Sequence, residues 1–424
     1  MIRIEPKKRI SGEIKVNGDK SISHRALIFS AMSKGYSEIE NLSSAGDCYS
    51  TVKCLVKLGV EIEMGKTIRI LGKGLGGFKE PEDILDVENS GTTIRLISGL
   101  LAGQPFFSVI TGDSSLRRRP VDRVIIPLSL MGAEFWSRGN NRFPPVAVKG
   151  RYPLKPVSYE LPVASAQVKS AIIIAGLFTD GKSSITEPLP SRDHTERLLP
   201  AFGAKIEKNG NTVTVYGGQG LEGQKIYIPG DFSSASFFMV AGLIVPESEI
   251  LIKDVGLNPG RIGLLGVIER MGGDIEVYHK KDMLNEPVGD ILVRSSSLRG
   301  TVVKRDEIPI LIDEVPLIAV LGAFAEGETV VNGAEELRVK ESDRIKAIVT
   351  EFKKLKVDIE EMPDGFIIRG PSVPEGGRVE SYNDHRIAMA LAIAGLASKG
   401  PVEINNEGCV VISFPDFWDI LNGL

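Results

Sequence analysis

The sequence has few residues of the kinds that build disulfide frameworks and metal centres. Three of the 424 residues are cysteines, and neither the number nor the spacing of Cys48, Cys54 and Cys409 is that of a disulfide framework or a zinc site. The four histidines are scattered without ligand-like spacing. No apolar run approaches the roughly 18 residues that a membrane helix needs. We therefore expect no metal, no cofactor and no membrane partner.

The N-terminus and the charge balance argue against further classes of protein, namely secreted, organelle-imported and nucleic-acid-binding proteins. The first residues lack the apolar core of a signal peptide and the composition of a transit peptide, so we expect a cytoplasmic protein. Lys and Arg number 51 against 55 Asp and Glu, and the sequence pI is about 5.8. This acidic balance argues against nucleic acid as the main partner. Any basic site must therefore be local.

What the chain does have is an internal repeat with a period of about 70 residues. Each copy contains a strand pattern, a polar turn and an apolar helix, followed by another strand and a second helix. The turns and first helices span Asp19–Ser33, Asn89–Leu101, Ser165–Phe178, Asp231–Ile244, Asp313–Phe324 and Asp384–Leu396. These helices are apolar nearly all round, which predicts that they are buried inside their domain. Six copies predict an α/β fold of two domains with three copies each, and an anion-binding cleft between them.

The second helices of the first four copies end on a glycine, at Gly59, Gly132, Gly203 and Gly272. Glycine at this place predicts a left-handed residue that stops the helix before the next strand. The fifth copy, Leu355–Ile359, has no glycine.

The two ends of the chain predict that one domain is discontinuous. The sixth copy stops before its closing strands, whereas Met1–Lys7 resembles the repeat-closing strand Thr67–Lys73. We infer that the first strand completes the last repeat. The predicted N-terminal domain covers residues 13–225 with repeats 1–3, and the C-terminal domain covers residues 1–12 plus 226–424 with repeats 4–6.

The strongest sign of a binding site is the turn Asn17–Arg25, which lies between the strand Glu13–Val16 and an apolar helix, Ala26–Ser33. Helix N-termini attract anions, so a lysine at Lys20 and an arginine at Arg25 point to an anionic ligand. Further cations lie near other helix starts: Arg95, Lys169, Arg192, Lys340, Arg344 and Arg386. The alternatives are a solvated surface for the cations and ordinary N-caps for the polar residues.

Three other stretches are candidates. Leu116–Pro120 carries three arginines, and Pro120 predicts an extended backbone at Arg119; the alternative is a solvated basic loop. Val339–Arg344 is predicted to open a helix with Lys340, Glu341 and Arg344 on one face, unless these form an exposed ion-pair lattice. Tyr382–Arg386 places polar side chains before a fully apolar helix and favours a site.

Asp313 follows an apolar stretch, Ile308–Ile312, that we interpret as a strand. A carboxylate at the end of a strand beside a cationic cleft is suited to act as a general base, although a plain N-cap is the alternative. Together these residues predict a site for a small, multiply anionic substrate and acid–base chemistry.

Over nearly its whole length the chain resembles the 5-enolpyruvylshikimate-3-phosphate (EPSP) synthases, a family of enolpyruvyl transferases. The matching stretches are Gly18–Arg25, Asn89–Arg95, Leu116–Pro120, Ser165–Gln167, Asp313, Arg338–Arg344, Asn383–Arg386 and Phe414–Pro415. The resemblance implies a two-domain inside-out α/β barrel in which each domain has three βαβαββ repeats. It also implies transfer of the enolpyruvyl group of phosphoenolpyruvate to the 5-hydroxyl of shikimate 3-phosphate, with release of phosphate, by a cofactor-free monomer.

The resemblance also implies residue roles. Shikimate 3-phosphate would be bound by Lys20, Ser21, Arg25, Ser165, Ala166, Gln167, Ser191, Arg192, Asp313 and Lys340. Phosphoenolpyruvate would be bound by Lys20, Gly91, Arg119, Gln167, Arg344 and Arg386. Asp313 would accept the proton of the attacking hydroxyl. Glu341 would protonate the methylene carbon and remove a proton when phosphate leaves, provided that the closed site raises its proton affinity or Lys20 shares the task.

Some positions depart from the family pattern. Val411–Pro415 lacks the lysine that many members have, Ala166 replaces a serine, and Glu336-Leu337 stands where others have Asn-Trp. With Ser90, these features look like the branch that is less sensitive to glyphosate, and we expect weak inhibition.

Other proteins remain as alternatives. UDP-N-acetylglucosamine enolpyruvyl transferases share the fold but carry a cysteine in the mobile loop, and Gly112–Pro120 has none. A non-catalytic anion-binding protein would not need both Asp313 and Glu341. The acidic pI and the lack of a candidate nucleophilic histidine motif argue against an RNA 3′-phosphate cyclase.

Overall fold

The computed structural model describes residues 1–424, which form two compact units. The N-terminal unit comprises Gly18–Ile228 and the short segment Asp282–Glu286. The C-terminal unit comprises Met1–Asn17, Pro229–Lys281 and Pro287–Leu424. Each unit has its own hydrophobic core.

The secondary structure of the N-terminal unit follows the predicted repeat three times. Its helices are α1 (Lys20–Met32), α2 (Gly46–Lys57), α3 (Gly91–Ala102), α4 (Asp122–Leu130), the single turn α5 (Arg138–Asn141), α6 (Ala166–Gly176) and α7 (His194–Ala201). Within α5, Gly139 and Asn140 have left-handed backbone angles. Its strands are β3 (Ser33–Glu40), β4 (Glu61–Glu63), β5 (Thr67–Lys73), β6 (Leu85–Asp86), β7 (Phe107–Thr111), β8 (Glu134–Ser137), β9 (Phe143–Lys149), β10 (Ser158–Glu160), β11 (Lys182–Thr186), β12 (Ile206–Asn209), β13 (Thr212–Tyr216), β14 (Leu221–Glu222) and β15 (Lys225–Tyr227). A 3₁₀ turn covers Leu116–Arg118.

The C-terminal unit contains the other three copies. Its helices are α8 (Phe232–Ile244), α9 (Gly263–Arg270), α10 (Ile308–Leu311), α11 (Val315–Phe324), α12 (Arg344–Lys354), α13 (His385–Leu396) and α14 (Phe417–Gly423). Its strands are β1 (Ile2–Ile4), β2 (Ser11–Lys15), β16 (Glu249–Gly256), β17 (Asp274–Met283), β18 (Glu286–Arg294), β19 (Val302–Val303), β20 (Gly327–Val331), β21 (Ile359–Met362), β22 (Gly365–Gly370), β23 (Gly377–Glu380) and β24 (Val402–Asn405). Two 3₁₀ turns cover Glu335–Val339 and Glu407–Ile412.

Each unit packs three sheets around three buried helices. In the N-terminal unit the sheets have the orders β14-β3-β5-β4, β6-β7-β9-β8 and β10-β11-β13-β12, with β15 also paired to β3. In the C-terminal unit they are β2-β16-β18-β17, β19-β20-β22-β21 and β23-β24-β1. The first helices α1, α3, α6, α8, α11 and α13 are buried along nearly their whole length, as their apolar sequences predict. This is the predicted inside-out α/β architecture.

The N-terminal strand completes the sixth repeat, as predicted. β1 pairs antiparallel with β24, and Ile2 lies opposite Ile404. It therefore occupies the place that β5, β9 and β13 have in the sheets of the first three repeats.

The predicted domain boundaries need a correction. The strand before α1 was assigned to the N-terminal domain, but β2 pairs parallel with β16, and Ile14 lies opposite Ile252. The strand before α8 also belongs to the other unit, because β15 pairs parallel with β3 of the N-terminal unit. The boundaries consequently fall after these strands, at 17/18 and 228/229 rather than 12/13 and 225/226, and the segment Asp282–Glu286 joins the N-terminal unit. The partner of a parallel strand is distant in sequence, so the strand's own residues do not reveal it.

The left-handed helix stops are present at all four predicted glycines. The φ angles are +85° at Gly59, +102° at Gly132, +91° at Gly203 and +81° at Gly272. In the fifth copy Lys356 takes the same conformation, with φ +67°. A β-carbon makes this conformation unfavourable, so Lys356 is strained where the other copies are not.

Two local predictions in the C-terminal unit are wrong. Ile308–Leu311 is a helical turn and not a strand, because Pro309 lacks an amide donor for a sheet and its fixed φ suits the start of a helix. Lys340 and Glu341 do not lie on a helical face with Arg344, since α12 begins only at Arg344. The carboxylate of Asp343 accepts a hydrogen bond from Lys346 N at 3.0 Å and caps the helix there.

Candidate active site

The first helix of the chain begins at Lys20, six residues before the predicted apolar core of that helix. Asp19 is its N-cap, and the carboxylate accepts a hydrogen bond from Ile22 N at 2.9 Å. The ammonium of Lys20 lies 2.9 Å from the carboxylate of Asp47, in the first turn of α2. A cation at the positive end of a helix is thus held by a carboxylate at the start of the next helix.

Arg25 lies one turn along α1 and is buried. Its guanidinium donates to Ser21 O at 2.8 Å, to Thr195 Oγ1 at 2.7 Å and to Ser170 Oγ at 2.7 Å. All three acceptors are neutral. Burial lowers the pKa of Arg25 to about 10, although nearby carboxylates oppose this effect. A fixed, poorly compensated cation of this kind is suited to receive an anionic group.

A chain of hydroxyl groups joins the beginnings of α1, α2 and α3. His24 Nδ1 lies 2.7 Å from Thr51 Oγ1, which lies 2.7 Å from Thr93 Oγ1, and Thr93 in turn donates to the N-cap Ser90 at 2.6 Å. Burial, together with the charges of Lys20 and Arg25, holds the pKa of His24 well below its usual range. His24 is therefore neutral near pH 7 and serves to connect the three helices.

Gly91 begins α3 beside two arginines. A β-carbon on this residue would lie 2.8 Å from Arg95 Nη1 and 3.4 Å from Arg119 Nη1. The backbone of Arg119 is extended, as Pro120 predicts, and its guanidinium donates to Asn89 Oδ1 at 2.8 Å. The glycine therefore gives two guanidinium groups room at a helix N-terminus.

The third repeat adds polar groups at the start of α6. Ser165 is the N-cap, and its hydroxyl accepts from Val168 N at 3.4 Å, while Ala166 is the first helical residue. Gln167 Nε2 donates to Thr92 Oγ1 at 2.9 Å, which brings the starts of α6 and α3 together.

Lys169, one of the cations noted in the sequence, has a different role. It is fully buried, and its ammonium lies 2.5 Å from Glu187 and 2.7 Å from Glu196. Burial acts to lower the pKa of Lys169, but the two carboxylates outweigh it and raise the value. Ser191 donates its hydroxyl to Glu187, so this predicted phosphate contact is attached to the buried triad, and Arg192 follows it in the loop before α7.

In the C-terminal unit three arginines surround Asp313. The carboxylate lies 3.0 Å from Arg261, 3.6 Å from Arg386 and 3.9 Å from Arg344. Arg386 also donates to the backbone oxygen of Asp313 at 2.9 Å. The predicted general base therefore lies among fixed cations, and it is not the N-cap of α11, which is Glu314.

Arg344 and Asp384 form the buried centre of this cluster. Arg344 Nε donates to Asp384 at 2.8 Å, and Nη2 donates to Glu341 at 2.6 Å. Burial disfavours both charged forms, but the pair compensates: the pKa of Arg344 is raised and the pKa of Asp384 is lowered. Ser342 donates to Asp384 at 3.0 Å. Glu341 is thus placed by the same guanidinium that faces Asp313, and the half-buried Lys340 precedes it.

Glu314 supplies a second buried carboxyl next to Asp313. Burial raises the pKa of Glu314, and the charge of Asp313 adds to this effect. Ser233 donates its hydroxyl to Glu314 Oε1, and Arg386 Nη1 lies 3.9 Å from the same oxygen.

The structure thus gathers the predicted residues into two clusters. The Lys20 cluster, in the N-terminal unit, contains Lys20, Ser21, Arg25, Gly91, Arg119, Ser165, Ala166, Gln167, Ser191 and Arg192. The Asp313 cluster, in the C-terminal unit, contains Asp313, Lys340, Glu341, Arg344 and Arg386. No group of three or more His, Cys, Asp or Glu side chains is arranged to hold a metal ion, and no helix is long and apolar enough to cross a membrane. All three cysteines are free thiols.

Sequence reasoning missed Arg261, whose guanidinium makes the shortest of the three contacts to Asp313. The repeats contain the signal that would have found it. Arg119 and Arg192 lie just before the second helices of their repeats, α4 and α7, and Arg261 holds the same place before α9.

Comparison with known proteins gives consistent results. Residues 4–421 match the model of the family described as EPSP synthase (3-phosphoshikimate 1-carboxyvinyltransferase). The 3-phosphoshikimate 1-carboxyvinyltransferase of Carboxydothermus hydrogenoformans is 52% identical over 419 residues, which cover 99% of this chain and 97% of the relative.

Solved structures agree with these matches. The EPSP synthase of Acinetobacter baumannii has a TM-score of 0.90 at 41% identity, covering 99% of this chain and 97% of that one. The enolpyruvyl transferase NikO of Streptomyces tendae has a TM-score of 0.80 at 16% identity, covering 100% of this chain and 96% of that one, and so shares the fold.

Proposed function

The chain belongs to the EPSP synthase family, and on that premise we propose that the Lys20 and Asp313 clusters carry out the family's reaction. The enzyme transfers the enolpyruvyl group of phosphoenolpyruvate to the 5-hydroxyl of shikimate 3-phosphate and releases phosphate, a step of the shikimate pathway. The assignment of individual residues to this reaction is our proposal.

Shikimate 3-phosphate is assigned mainly to the Lys20 cluster. Lys20 and Arg25 supply the positive charge. The three hydrogen-bond acceptors of the buried Arg25 described above are all neutral, so its charge suits an anionic ligand. Ser21, Ser165, Ala166, Gln167, Ser191 and Arg192 complete this set, and Asp313 and Lys340 contact the ring hydroxyls. Ser191 is placed for this role by its hydrogen bond to the buried Glu187.

Phosphoenolpyruvate is assigned to Lys20, Gly91, Arg119, Gln167, Arg344 and Arg386. Guanidinium groups bind carboxylate and phosphate through paired N–H donors, so the arginines of this set suit a ligand with both groups. The lack of a side chain at Gly91 leaves the space that Arg119 occupies.

The carboxylates have separate tasks in the proposed mechanism. Asp313 accepts the proton of the 5-hydroxyl as its oxygen attacks C2 of phosphoenolpyruvate, and Glu341 protonates the methylene carbon to give a tetrahedral intermediate. Glu341 then removes a proton from the new methyl group as the C–O bond to phosphate breaks, which restores the double bond. The proton taken up by Asp313 leaves with the released phosphate, so both carboxyl groups return to their starting states. Lys20 assists this proton exchange, and the arginines neutralise the anionic groups throughout.

The observation that carries the proposal is the position of Asp313, whose carboxylate faces three guanidinium groups at 3.0–3.9 Å. Nearby cations favour the ionised form that a proton acceptor needs. Asp313→Asn keeps the size and polarity of the side chain and removes the base.

The test is steady-state phosphate release by Asp313→Asn, with Asp306→Asn, an exposed aspartate of the same unit, as the matched control. We expect kcat to fall roughly 10²–10⁴-fold in Asp313→Asn, while shikimate 3-phosphate still binds and the control keeps wild-type activity. A wild-type kcat in Asp313→Asn would contradict the assignment and favour a different base.

We also propose that the enzyme works as a cytoplasmic monomer. The three free thiols suit a reducing compartment, and the resemblance to the family implies a monomer. Light scattering should therefore give a mass near 45.9 kDa, and a stable dimer at micromolar concentration would argue against this state.

A further inference from the structure

We propose that Arg261 is a positioning residue for Asp313, which keeps this carboxylate ionised and correctly oriented for proton abstraction. The inference rests on the proposed function, because it concerns the base assigned there. Arg261 is not itself expected to touch the reacting atoms.

Arg261 is held in place on both sides. The turn before α9 is fixed by Asn258, whose backbone oxygen accepts from Arg261 N at 2.8 Å and whose side chain accepts from Gly260 N at 2.8 Å. The side chain of Arg261 is only 4% exposed. Its position is therefore determined by the fold and does not depend on solvent contacts.

The guanidinium of Arg261 links Asp313 to the start of another helix. Nη1 donates to Asp313 Oδ2 at 3.0 Å, while Nη2 donates to Asp231 at 3.2 Å and to Ser233 Oγ at 2.7 Å. Asp231 is the N-cap of α8 and accepts from Ser233 N at 2.7 Å. The planar guanidinium thus fixes the carboxylate of Asp313 relative to the beginning of α8.

The other two arginines near Asp313 make their short contacts with groups other than its carboxylate. Arg344 makes its short contacts with Asp384 and Glu341 and lies 3.9 Å from Asp313. Arg386 donates to the backbone oxygen of Asp313 and lies 3.6 Å from the carboxylate. Among the three, Arg261 makes the only side-chain contact to this carboxylate at hydrogen-bond distance.

The carboxyl groups around Asp313 and its arginines strengthen the case. The neighbouring carboxyl of Glu314 is buried. Asp231 forms an ion pair with Arg261, and Glu341 and Asp384 form ion pairs with Arg344. Without Arg261, the nearest of the three guanidinium groups would be lost, and Arg344 and Arg386 would remain at their longer distances from Asp313. Protonation of Asp313 would then become easier, and proton abstraction would need a higher pH.

The test is the pH dependence of kcat for phosphate release in wild type, Arg261→Met and Arg261→Lys. Removal of an adjacent opposite charge moves a carboxyl titration by about 1–3 units, so we expect the acid limb of Arg261→Met to move to higher pH by that amount. Arg261→Lys keeps the charge but loses the paired donors, so its acid limb should stay within about half a unit while kcat falls. Arg305→Met, at an exposed arginine of the same unit, is the control and should match wild type.

The outcomes distinguish a failure of the Arg261 inference from a failure of the assignment of Asp313 as the base. If Arg261→Met loses thermal stability but keeps the wild-type acid limb, Arg261 is merely structural and the inference is wrong. Should Arg261→Met fail to fold, it is replaced by the double variant Arg261→Met/Asp231→Asn, which also removes the charge of the carboxylate that Arg261 contacts. A wild-type kcat in Arg261→Lys also overturns the inference. An acid limb that persists in Asp313→Asn would instead show that the proposed function has the wrong base.

Discussion

Lys169→Met should strongly destabilise the N-terminal unit, because it removes the ammonium that two buried carboxylates face. The side chains of Lys169, Glu187 and Glu196 are 0%, 4% and 6% exposed, so solvent gives the remaining charges little relief. Removal of one partner from a buried ion pair typically costs about 3–5 kcal/mol. For a unit of about 200 residues, the lower figure corresponds to a fall in Tm of roughly 6–12 °C.

The pH dependence of this loss has a definite sign. The two carboxylates raise the pKa of Lys169 in the folded state despite its burial. Its contribution is therefore fully present below the unfolded-state pKa of about 10.5 and is lost only as the pH rises through the folded value. The difference between wild type and Lys169→Met should persist from neutral pH up to about pH 10.

Urea unfolding followed by circular dichroism measures the effect. Lys182→Met, at an exposed lysine in β11, is the matched control and should change the free energy of unfolding by less than about 0.5 kcal/mol. Adding Glu187→Gln and Glu196→Gln to Lys169→Met removes the uncompensated charge and should recover most of the stability. A loss below about 1 kcal/mol in Lys169→Met at pH 7, or a loss equal to that of the control, would refute this reasoning.

Three further predictions follow from the fold and the site. Lys356→Gly relieves a left-handed backbone and should stabilise the protein by about 0.5–1 kcal/mol, whereas Lys353→Gly, inside α12, should destabilise it by about as much, both measured by urea unfolding. Gly91→Ala places a β-carbon 2.8 Å from Arg95 and 3.4 Å from Arg119, so KM for phosphoenolpyruvate should rise while KM for shikimate 3-phosphate stays close to wild type; equal changes in both would contradict the assignment. Glyphosate should inhibit weakly, as the departures from the family pattern predict, and a tight inhibition constant competitive with phosphoenolpyruvate would show otherwise.

Features that depend on local sequence were predicted well. The left-handed stops at Gly59, Gly132, Gly203 and Gly272 follow from the conformational freedom of glycine. The buried first helices follow from runs that are apolar on every face, and the closing role of β1 follows from its likeness to Thr67–Lys73. In the first two cases the determining residues are adjacent in the chain, and in the third the internal repeat supplies the signal.

Two other strand pairings with distant partners were not predicted. The pairing of β2 with β16 and of β15 with β3 is set by backbone hydrogen bonds to strands far along the chain, and neither strand's sequence specifies its partner. The short apolar stretch Ile308–Leu311 is compatible with a strand or a helix, and periodicity alone does not distinguish them. The conformational effect of Pro309 decides for the helix.

Within the site, sequence patterns identified charged residues better than their contacts. Lys169 lies near a helix start like the binding candidates, yet its ammonium forms buried ion pairs with Glu187 and Glu196, which lie outside that helix. Arg261 escaped notice because it stands alone in an ordinary turn, and only the fold shows that its guanidinium reaches Asp313. Such pairings depend on side-chain positions that a single sequence does not contain.

The most direct test of the central claim is phosphate release by the purified enzyme from shikimate 3-phosphate and phosphoenolpyruvate together, with each substrate omitted in turn. The account predicts that phosphate and the enolpyruvyl product form in equal amounts, only when both substrates are present and without an added metal or cofactor. Folded protein that releases no phosphate from the complete mixture, or that releases it equally well without shikimate 3-phosphate, would contradict the account.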